Sequence, residues 1–285
     1  MTQGKQITFW SPFHGQTCTT TGVGVVASAV GVFYRNLSAL IGNTNYYMST
    51  LEKIFAATNG IGAHFGLNEI GIDALGMMSR NYGLTRDDIK NNTKQLTKKL
   101  ELLFGTNFDT NVLNTEESAK SMSDTFPKIF ELAKTCYDVS FIDAHSGTIN
   151  ALTKKIIAES DLTVVCLNQN KYVLDEFFSK RVWLEELENV PQIMLLGNYD
   201  KNIGMTVKNI QRQYKANEFV TVEYSALLRN ACNTGKCFDF FLRNAAVNKN
   251  DEVYSFINSV KQTAKTILLA AGISKERLGT AEGST

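Results

Sequence analysis

The fold of this chain is decided by its N-terminal stretch, Gln6-Ile-Thr-Phe-Trp10, Ser11-Pro-Phe-His-Gly-Gln-Thr-Cys18 and Thr19-Thr-Thr-Gly-Val-Gly-Val-Val-Ala27. The first part is β-branched and aromatic, which predicts a buried strand. The second part holds a proline and a glycine, which predicts a sharp loop. The third part has small side chains and predicts a helix that packs closely against a sheet. A strand, a loop and a helix in immediate succession are typical of an α/β fold.

Further apolar runs downstream predict additional strands, with helical segments between them. These runs are residues 38–42, 100–104, 138–143, 162–167, 191–197 and 219–223. We therefore expect an α/β fold with a mostly parallel, doubly wound sheet of about seven or eight strands and helices on both faces. Residues 1–285 are expected to form one domain, with a helical insertion at about 48–99 and a flexible tail at 274–285. Ligands of such folds bind at the carboxyl ends of the strands.

The composition is typical of a cytoplasmic protein. No run of about 18 apolar residues occurs, so no transmembrane helix is expected, and no signal peptide is expected because the first predicted strand begins at residue 6. The five cysteines are scattered without a Cys-x-x-Cys pair, as reduced thiols are. A net charge of +1 gives no strong nucleic-acid signal, and the polar C-terminus shows no evident membrane anchor.

Residues 11–20 resemble the deviant Walker A motif, K-G-G-x-G-K-T-T, of the MinD/ParA-type P-loop ATPases. In this alignment Phe13 takes the place of the signature lysine and Cys18 that of the P-loop lysine, so both lysines are missing. Asp143-Ala-His-Ser-Gly147 resembles the Walker B and switch II region of the same family, and residues 224–236 resemble its segment after the seventh strand. The resemblance covers nearly the whole chain outside the insertion.

The resemblance implies a site for ATP and Mg²⁺ at the strand ends, with binding that is weak or lost. A P-loop directs backbone N–H groups and a helix N-terminus at phosphates, with a lysine on the β/γ oxygens. The implied metal ligands are Thr19 and Asp143, and the implied catalytic residues are Asn43 and Asp143, although an Asn can orient a water but cannot act as a base. The implied nucleotide-binding residues are His14, Gly15, Gln16, Thr17, Cys18, Thr19, Thr20, Gly147 and Asn198.

Simpler interpretations of these residues stay open at this point. The loop of residues 11–18 can be a tight strand-to-helix turn without a ligand. Asn43 and Asn198 can belong to ordinary Asn-rich turns, and Asp143 can cap the helix that follows it.

Two functions of different classes compete. The first, which we expect, is a degenerate, dimeric factor for partitioning or localisation, with weak or no ATP hydrolysis. It would dimerise through the P-loop face and recruit an unidentified protein partner. The alternative is an active, ATP-switched ATPase of the same type.

A metal site is a minor alternative. His14, Cys18 and His145 map to the same strand-end crevice, and with Asp143 they form a ligand set suited to zinc. A closed four-ligand site would block a phosphate, so the two interpretations exclude each other.

Overall fold

The computed structural model describes residues 3–45, 50–58, 61, 70–106 and 116–279, and the side chains of the last range from residue 123 onwards. The strands in this part of the chain are β1 (Lys5–Trp10), β2 (Ala39–Asn43), β3 (Thr93–Gln95), β4 (Leu100–Leu103), β5 (Val139–Asp143), β6 (Leu162–Leu167), β7 (Gln192–Tyr199) and β8 (Phe219–Glu223). They form one eight-stranded sheet in the order β3-β4-β2-β5-β1-β6-β7-β8, parallel except for the β3-β4 pair. The predicted fold class is confirmed.

Helices connect the strands and cover the sheet. They are α1 (Thr19–Phe33), α2 (Ile72–Asn81), α3 (Arg86–Asn91), α4 (Glu116–Ala133), α5 (Ala151–Ala158), α6 (Lys171–Phe178), α7 (Val207–Tyr214), α8 (Ala226–Asn233), α9 (Cys237–Arg243), α10 (Tyr254–Ala270) and α11 (Lys275–Leu278). Short 3₁₀ helices occur at Glu52–Phe55 and Glu185–Asn189. No helix within the described ranges is long and apolar enough to cross a membrane.

The predicted small-residue helix, α1, packs closely on the sheet. A methyl group added to Gly22 would lie 2.9 Å from Leu195 Cδ2 on β7, and one added to Gly24 would lie 2.3 Å from Ile54 Cδ1. A larger residue at either place would push its neighbour out of position, because a side-chain carbon would overlap it. The start of α1 is thereby held beside the carboxyl ends of the central strands.

The parallel register gathers the predicted site residues at one edge of the sheet. Asp143 at the end of β5 pairs with Asn43 at the end of β2 on one side and with Phe9 of β1 on the other. Loop 11–18 follows β1 directly, and Asn198 lies near the end of β7. These residues therefore lie at the carboxyl-end edge of the sheet, where ligands of a parallel sheet bind.

The insertion is less helical than expected. Among its described residues, 93–95 form an antiparallel edge strand rather than part of a helix. Thr93 and Gln95 pair with β4, since the chain turns back on itself between the two strands. Residues 46–49, 59–60 and 62–69 of this region lie outside the described part.

Two other boundaries differ from expectation. The helical spacing of Val173, Leu174, Phe177, Phe178 and Leu184 predicts a helix from Lys171 to Leu187. It ends instead at Phe178, because Lys180 adopts a φ of 58°, which an α-helix cannot continue through. The first residues of the expected flexible tail form α11, whose Leu278 is buried. Residues 280–285 lie outside the described part.

Candidate functional site

The loop between β1 and α1 is held by its own hydroxyl groups. Thr17 Oγ1 donates to Ser11 Oγ over 2.6 Å, and Ser11 Oγ accepts from the Phe13 N–H and donates to the Phe13 carbonyl. Gly15 has a φ of 70°, and a methyl group added to it would have no neighbouring atom within 4 Å, so it lies at the open tip. The Gln16 carbonyl accepts from Asn168 Nδ2 at 2.9 Å. The loop is therefore an ordered turn whose tip is accessible.

Cys18 ends the loop in a left-handed conformation. Its φ is 58°, and its carbonyl accepts the N–H of Gly22, which begins the α1 hydrogen-bond ladder. Non-glycine residues adopt this conformation only at a cost of about 1–2 kcal/mol. The K-G-G-x-G-K-T-T motif places a glycine just before its second lysine, and a left-handed residue is typical of such a glycine.

Thr20, rather than Thr19 as predicted, brings its hydroxyl to Asp143. Thr20 Oγ1 donates to Asp143 Oδ2 over 2.6 Å, whereas Thr19 Oγ1 lies 3.2 Å from Thr17 Oγ1. In a P-loop the lysine immediately precedes the hydroxyl residue that binds Mg²⁺. An alignment in which Thr20 is that hydroxyl residue would put Thr19 at the P-loop lysine, Cys18 at the third glycine and His14 at the signature lysine.

Asp143 is the central carboxylate of this crevice. It is 1% exposed. Burial raises the pKa of its carboxyl to about 7; the Thr20 hydrogen bond opposes that rise and the nearby Glu52 charge adds to it. Carboxylate and hydroxyl oxygens are ligands that Mg²⁺ prefers, and a bound cation would favour the ionised form. Thr20 and Asp143 thus fit a divalent metal in their chemistry.

Both the nitrogen and the oxygen of the Asn43 side-chain amide form hydrogen bonds. Its Nδ2 donates to Glu52 Oε1 over 2.6 Å, and its Oδ1 accepts from the Asn45 N–H at 3.1 Å. The same Glu52 oxygen accepts from the Gly105 N–H at 2.8 Å. Glu52 could not be predicted as a site residue from the sequence, because a lone Glu in a helical insertion carries no motif and its contact is made by the fold.

Two histidines flank the open side of the loop. The rings of His14 and His145 meet edge to face with their centroids 4.5 Å apart, and His145 Nδ1 lies 3.2 Å from Asn45 Oδ1. Burial, reinforced by His14, lowers the pKa of His145. Cys18 Sγ instead accepts a hydrogen bond from Asn198, and no group of three or more His, Cys, Asp or Glu side chains in the described residues could hold a metal. The zinc alternative is therefore not supported.

Gly147 is tied to the end of β1. Its N–H donates to the Ser11 carbonyl over 2.8 Å, and its carbonyl accepts from Trp10 Nε1 at 2.9 Å. The N–H is occupied in this conformation, so it faces a phosphate, as expected for switch II, only if this loop moves.

Asn198 borders a cavity beside α8. Asn198 Nδ2 donates to Cys18 Sγ over 2.8 Å, and a methyl group at Gly197 would lie 2.6 Å from the Thr17 carbonyl oxygen. The cavity has a volume of about 210 Å³, below the ~300–1,000 Å³ of pockets that enclose whole ligands. Its size suits a fragment such as a base. Residues of several elements and loops line it, among them Cys18, Gly22, Asn198, Val222, Arg229 and Cys232.

A larger groove of about 800 Å³ lies elsewhere, between Leu84 and the α4 residues Pro127 and Leu132. None of the predicted site residues lines it. We therefore place the functional site at the strand ends despite the smaller volume there.

Comparisons with known proteins agree with this architecture. No protein-family model matches the sequence, and no curated protein sequence aligns with it. Among solved structures, a ParA family ATPase from Chlorobium tepidum superposes with a TM-score of 0.67 at 10% identity, covering 92% of this chain and 98% of that one. This chain has the fold of the ParA and MinD ATPases.

Two further structures of this ParA/MinD fold carry bound molecules. MinD of Pyrococcus horikoshii, complexed with Mg-ADP, superposes at a TM-score of 0.65 and 13% identity over 95% of this chain and 99% of that one. MinD of Aquifex aeolicus, in complex with MinC, gives 0.63 and 13% over 93% and 96%. The ParA/MinD resemblance of the sequence is thus confirmed at the level of the fold.

Proposed function

We propose that this protein is a homodimeric positioning factor of the ParA/MinD fold that recruits a partner protein and hydrolyses ATP very slowly or not at all. One observation carries the proposal: the Thr20–Asp143 pair is kept at the strand ends, while residues 11–20 contain no lysine or arginine. Two residues that could bind a metal are present, while the neighbouring loop lacks the cationic side chains that would bind phosphates.

The nucleotide would bind weakly along the loop. Thr20 and Asp143 would hold Mg²⁺, which neutralises charge on the phosphates when it is bound. Loop 14–19 would supply backbone N–H groups, and Asn198 would meet the base at the cavity. Losing one member of a buried charge pair costs about 2–5 kcal/mol, which is roughly 30-fold to several thousandfold in affinity.

Hydrolysis is expected to be slow because charge stabilisation is the main catalytic term in phosphoryl transfer. Neither Thr19 nor Cys18 supplies a cation to the loop. Asn43 cannot act as a base, and the Glu52 oxygen beside it already accepts two hydrogen bonds.

An apolar patch on the same face supports a homodimer. Ile149 is 95% exposed and Tyr172 is 59% exposed, and the ring of Phe13 packs on Tyr172 at 5.8 Å. Burying a large apolar side chain contributes about 1.5–3 kcal/mol without any nucleotide. The MinC complex of the Aquifex MinD supports recruitment of a protein partner by this fold. We place the protein in the cytoplasm because its five cysteines are unpaired.

The test combines three measurements on the full chain. Calorimetric titration with ATP and Mg²⁺ should give an affinity in the high micromolar to millimolar range, and turnover should stay below about 1 s⁻¹. Light scattering at tens of micromolar should show a dimer whether or not ATP is present. Faster turnover, or a dimer that forms only with ATP, would establish the active, ATP-switched ATPase instead.

A further inference from the structure

Cys232 and Cys237 lie on either side of the turn between α8 and α9. The Lys236 N–H donates to the Ala231 carbonyl over 2.8 Å, and the Gly235 N–H donates to the Cys232 carbonyl over 3.1 Å. Gly235 has a φ of 70°, so the chain doubles back tightly there. The turn brings the last part of α8 against the first residue of α9, and both cysteines join the same hydrophobic core.

The two thiols differ in access. Cys237 is fully buried, with its Sγ 3.9 Å from Ser28 Oγ on α1. Cys232 is half-buried and lines the 210 Å³ cavity, whose wall also includes the exposed residues Asn198 and Arg229. A small molecule that enters the cavity can therefore meet Cys232, whereas Cys237 is not part of the cavity wall.

The interaction between the two thiols also shifts their pKa values. A hydrogen bond from the Cys237 thiol lowers the pKa of Cys232, while that bond and burial raise the pKa of Cys237. By contrast, burial raises the pKa of the other cavity cysteine, Cys18, against the charge of Arg229. The thiolate is the nucleophilic form, so Cys232 is the cysteine on this cavity wall that is prepared to react.

We propose that Cys232 and Cys237 form a redox-active dithiol, in which Cys232 reacts with a hydroperoxide and Cys237 then closes a disulfide. In the first step the Cys232 thiolate attacks a peroxide oxygen, the O–O bond breaks and the leaving oxygen takes a proton to become water or an alcohol. This leaves a sulfenic acid on Cys232. In the second step the Cys237 sulfur attacks the Cys232 sulfur, the S–O bond breaks, and the hydroxide leaves with the Cys237 proton as water. Two electrons pass from the two thiols to the peroxide.

The disulfide would tie the end of α8 to the start of α9 in the wall of the cavity. The proposal does not depend on whether the cavity accepts a base, since its geometry rests on the turn, on the burial of Cys237 and on the place of Cys232 in the cavity wall.

Peptide mapping after hydrogen peroxide treatment tests this proposal directly. Trypsin cleaves after Arg229, Lys236 and Arg243, so the two cysteines leave the protein on separate peptides, 230–236 and 237–243. The reduced, native chain is treated with peroxide at low molar excess, free thiols are blocked with N-ethylmaleimide, and the digest is analysed without reductant. We expect one disulfide-linked species of these two peptides, and a loss of two hydrogen atoms from the intact mass.

Single substitutions separate the two roles. Cys237→Ser should stop the reaction at a sulfenic acid on Cys232, which dimedone traps, and Cys232→Ser should leave Cys237 reduced. Cys136→Ser, at a half-buried cysteine after α4, should leave the linked peptides unchanged. Linkage of another cysteine pair in the wild type, labelling of Cys18 before Cys232, or reaction of Cys232 only after unfolding would each overturn the proposal.

Discussion

At the scale of single residues, Thr20 and Thr19 differ in the partner of their hydroxyl groups: Thr20 donates to Asp143, whereas Thr19 lies beside Thr17. Thr20→Val leaves the Asp143 carboxyl buried without its donor, which costs about 1–3 kcal/mol in the free energy of unfolding. It should also abolish any dependence of nucleotide binding on Mg²⁺. Thr19→Val is the matched control and should keep that dependence, because its hydroxyl does not contact the carboxylate. Urea unfolding and titration with and without Mg²⁺ measure both effects; loss of the Mg²⁺ dependence in Thr19→Val alone would contradict the assignment.

The same alignment predicts at which position of the loop a lysine would restore binding to the phosphates. If Thr20 is the metal-site hydroxyl, the residue before it is the place from which a P-loop lysine reaches the phosphates. Thr19→Lys should therefore raise the affinity for ATP by about 10-fold or more. Cys18→Lys should not, since Cys18 is left-handed and its side chain points to Asn198. Equal gains in both variants, measured by calorimetry, would show that position 18 also reaches the phosphates.

At the scale of elements, a buried carboxylate links several strands and helices by hydrogen bonds at the edge of the sheet. Glu101 on β4 accepts hydrogen bonds from Thr93 at 2.6 Å, Tyr137 at 2.5 Å and Lys90 at 3.0 Å. Lys90 also lies 3.6 Å from the centre of the Tyr137 ring. One side chain therefore joins β3, β4, α3 and the segment that follows α4. Burial disfavours the charge, but the hydrogen bonds outweigh it and hold the pKa of Glu101 below its usual value.

A lowered pKa makes this link depend on pH. The ionised Glu101 stabilises the fold fully above the ordinary pKa of a glutamate, and the contribution is lost as the pH falls through the lower pKa of the folded state. Glu101→Gln should cost about 1–3 kcal/mol at pH 7 and progressively less as the pH falls below the ordinary pKa of a glutamate and through the lower pKa of the folded state. Thermal melts across this range test the expectation. Glu188→Gln, at an exposed ion pair with Lys180, should change stability by less than about 1 kcal/mol across the same pH range; a pH-independent loss in Glu101→Gln would contradict it.

At the scale of the whole molecule, the proposed dimer depends on the apolar patch at the strand ends. Ile149→Asp places a charge on a side chain that makes few contacts within its own chain, since it is 95% exposed. It should convert the dimer to monomers in light scattering without lowering the melting temperature of the chain. Phe13→Asp should do the same at some cost in stability, because Phe13 also packs on Tyr172. Leu242→Asp, at an equally apolar but distant position on α9, should leave the dimer intact. A wild-type monomer at tens of micromolar would argue against the dimer itself.

The sequence predicts the core of this molecule better than its site. Strand β6 begins and ends where its apolar run does, because a fully buried strand needs an unbroken apolar segment. Strand β8 also keeps its predicted bounds, and its residues alternate between buried and half-buried. The three residues of β3 are polar, so no apolar run predicts this strand. They pair with β4 because the chain turns back on itself between the two strands. Glu52 and the choice of Thr20 over Thr19 depend on distances between segments far apart in the chain. A pattern along one loop determines neither.

The short edge strand β3 limits how copies of this protein can associate. A sheet edge with free backbone groups is a template for another strand, and short edges with a lysine protect against such growth. Here the edge strand has three residues, and Lys94 occupies its middle. An incoming parallel strand would find too few backbone partners to continue the sheet. Crowded copies should therefore not extend the sheet from the β3 edge, which makes ordered fibre growth from this edge unfavourable.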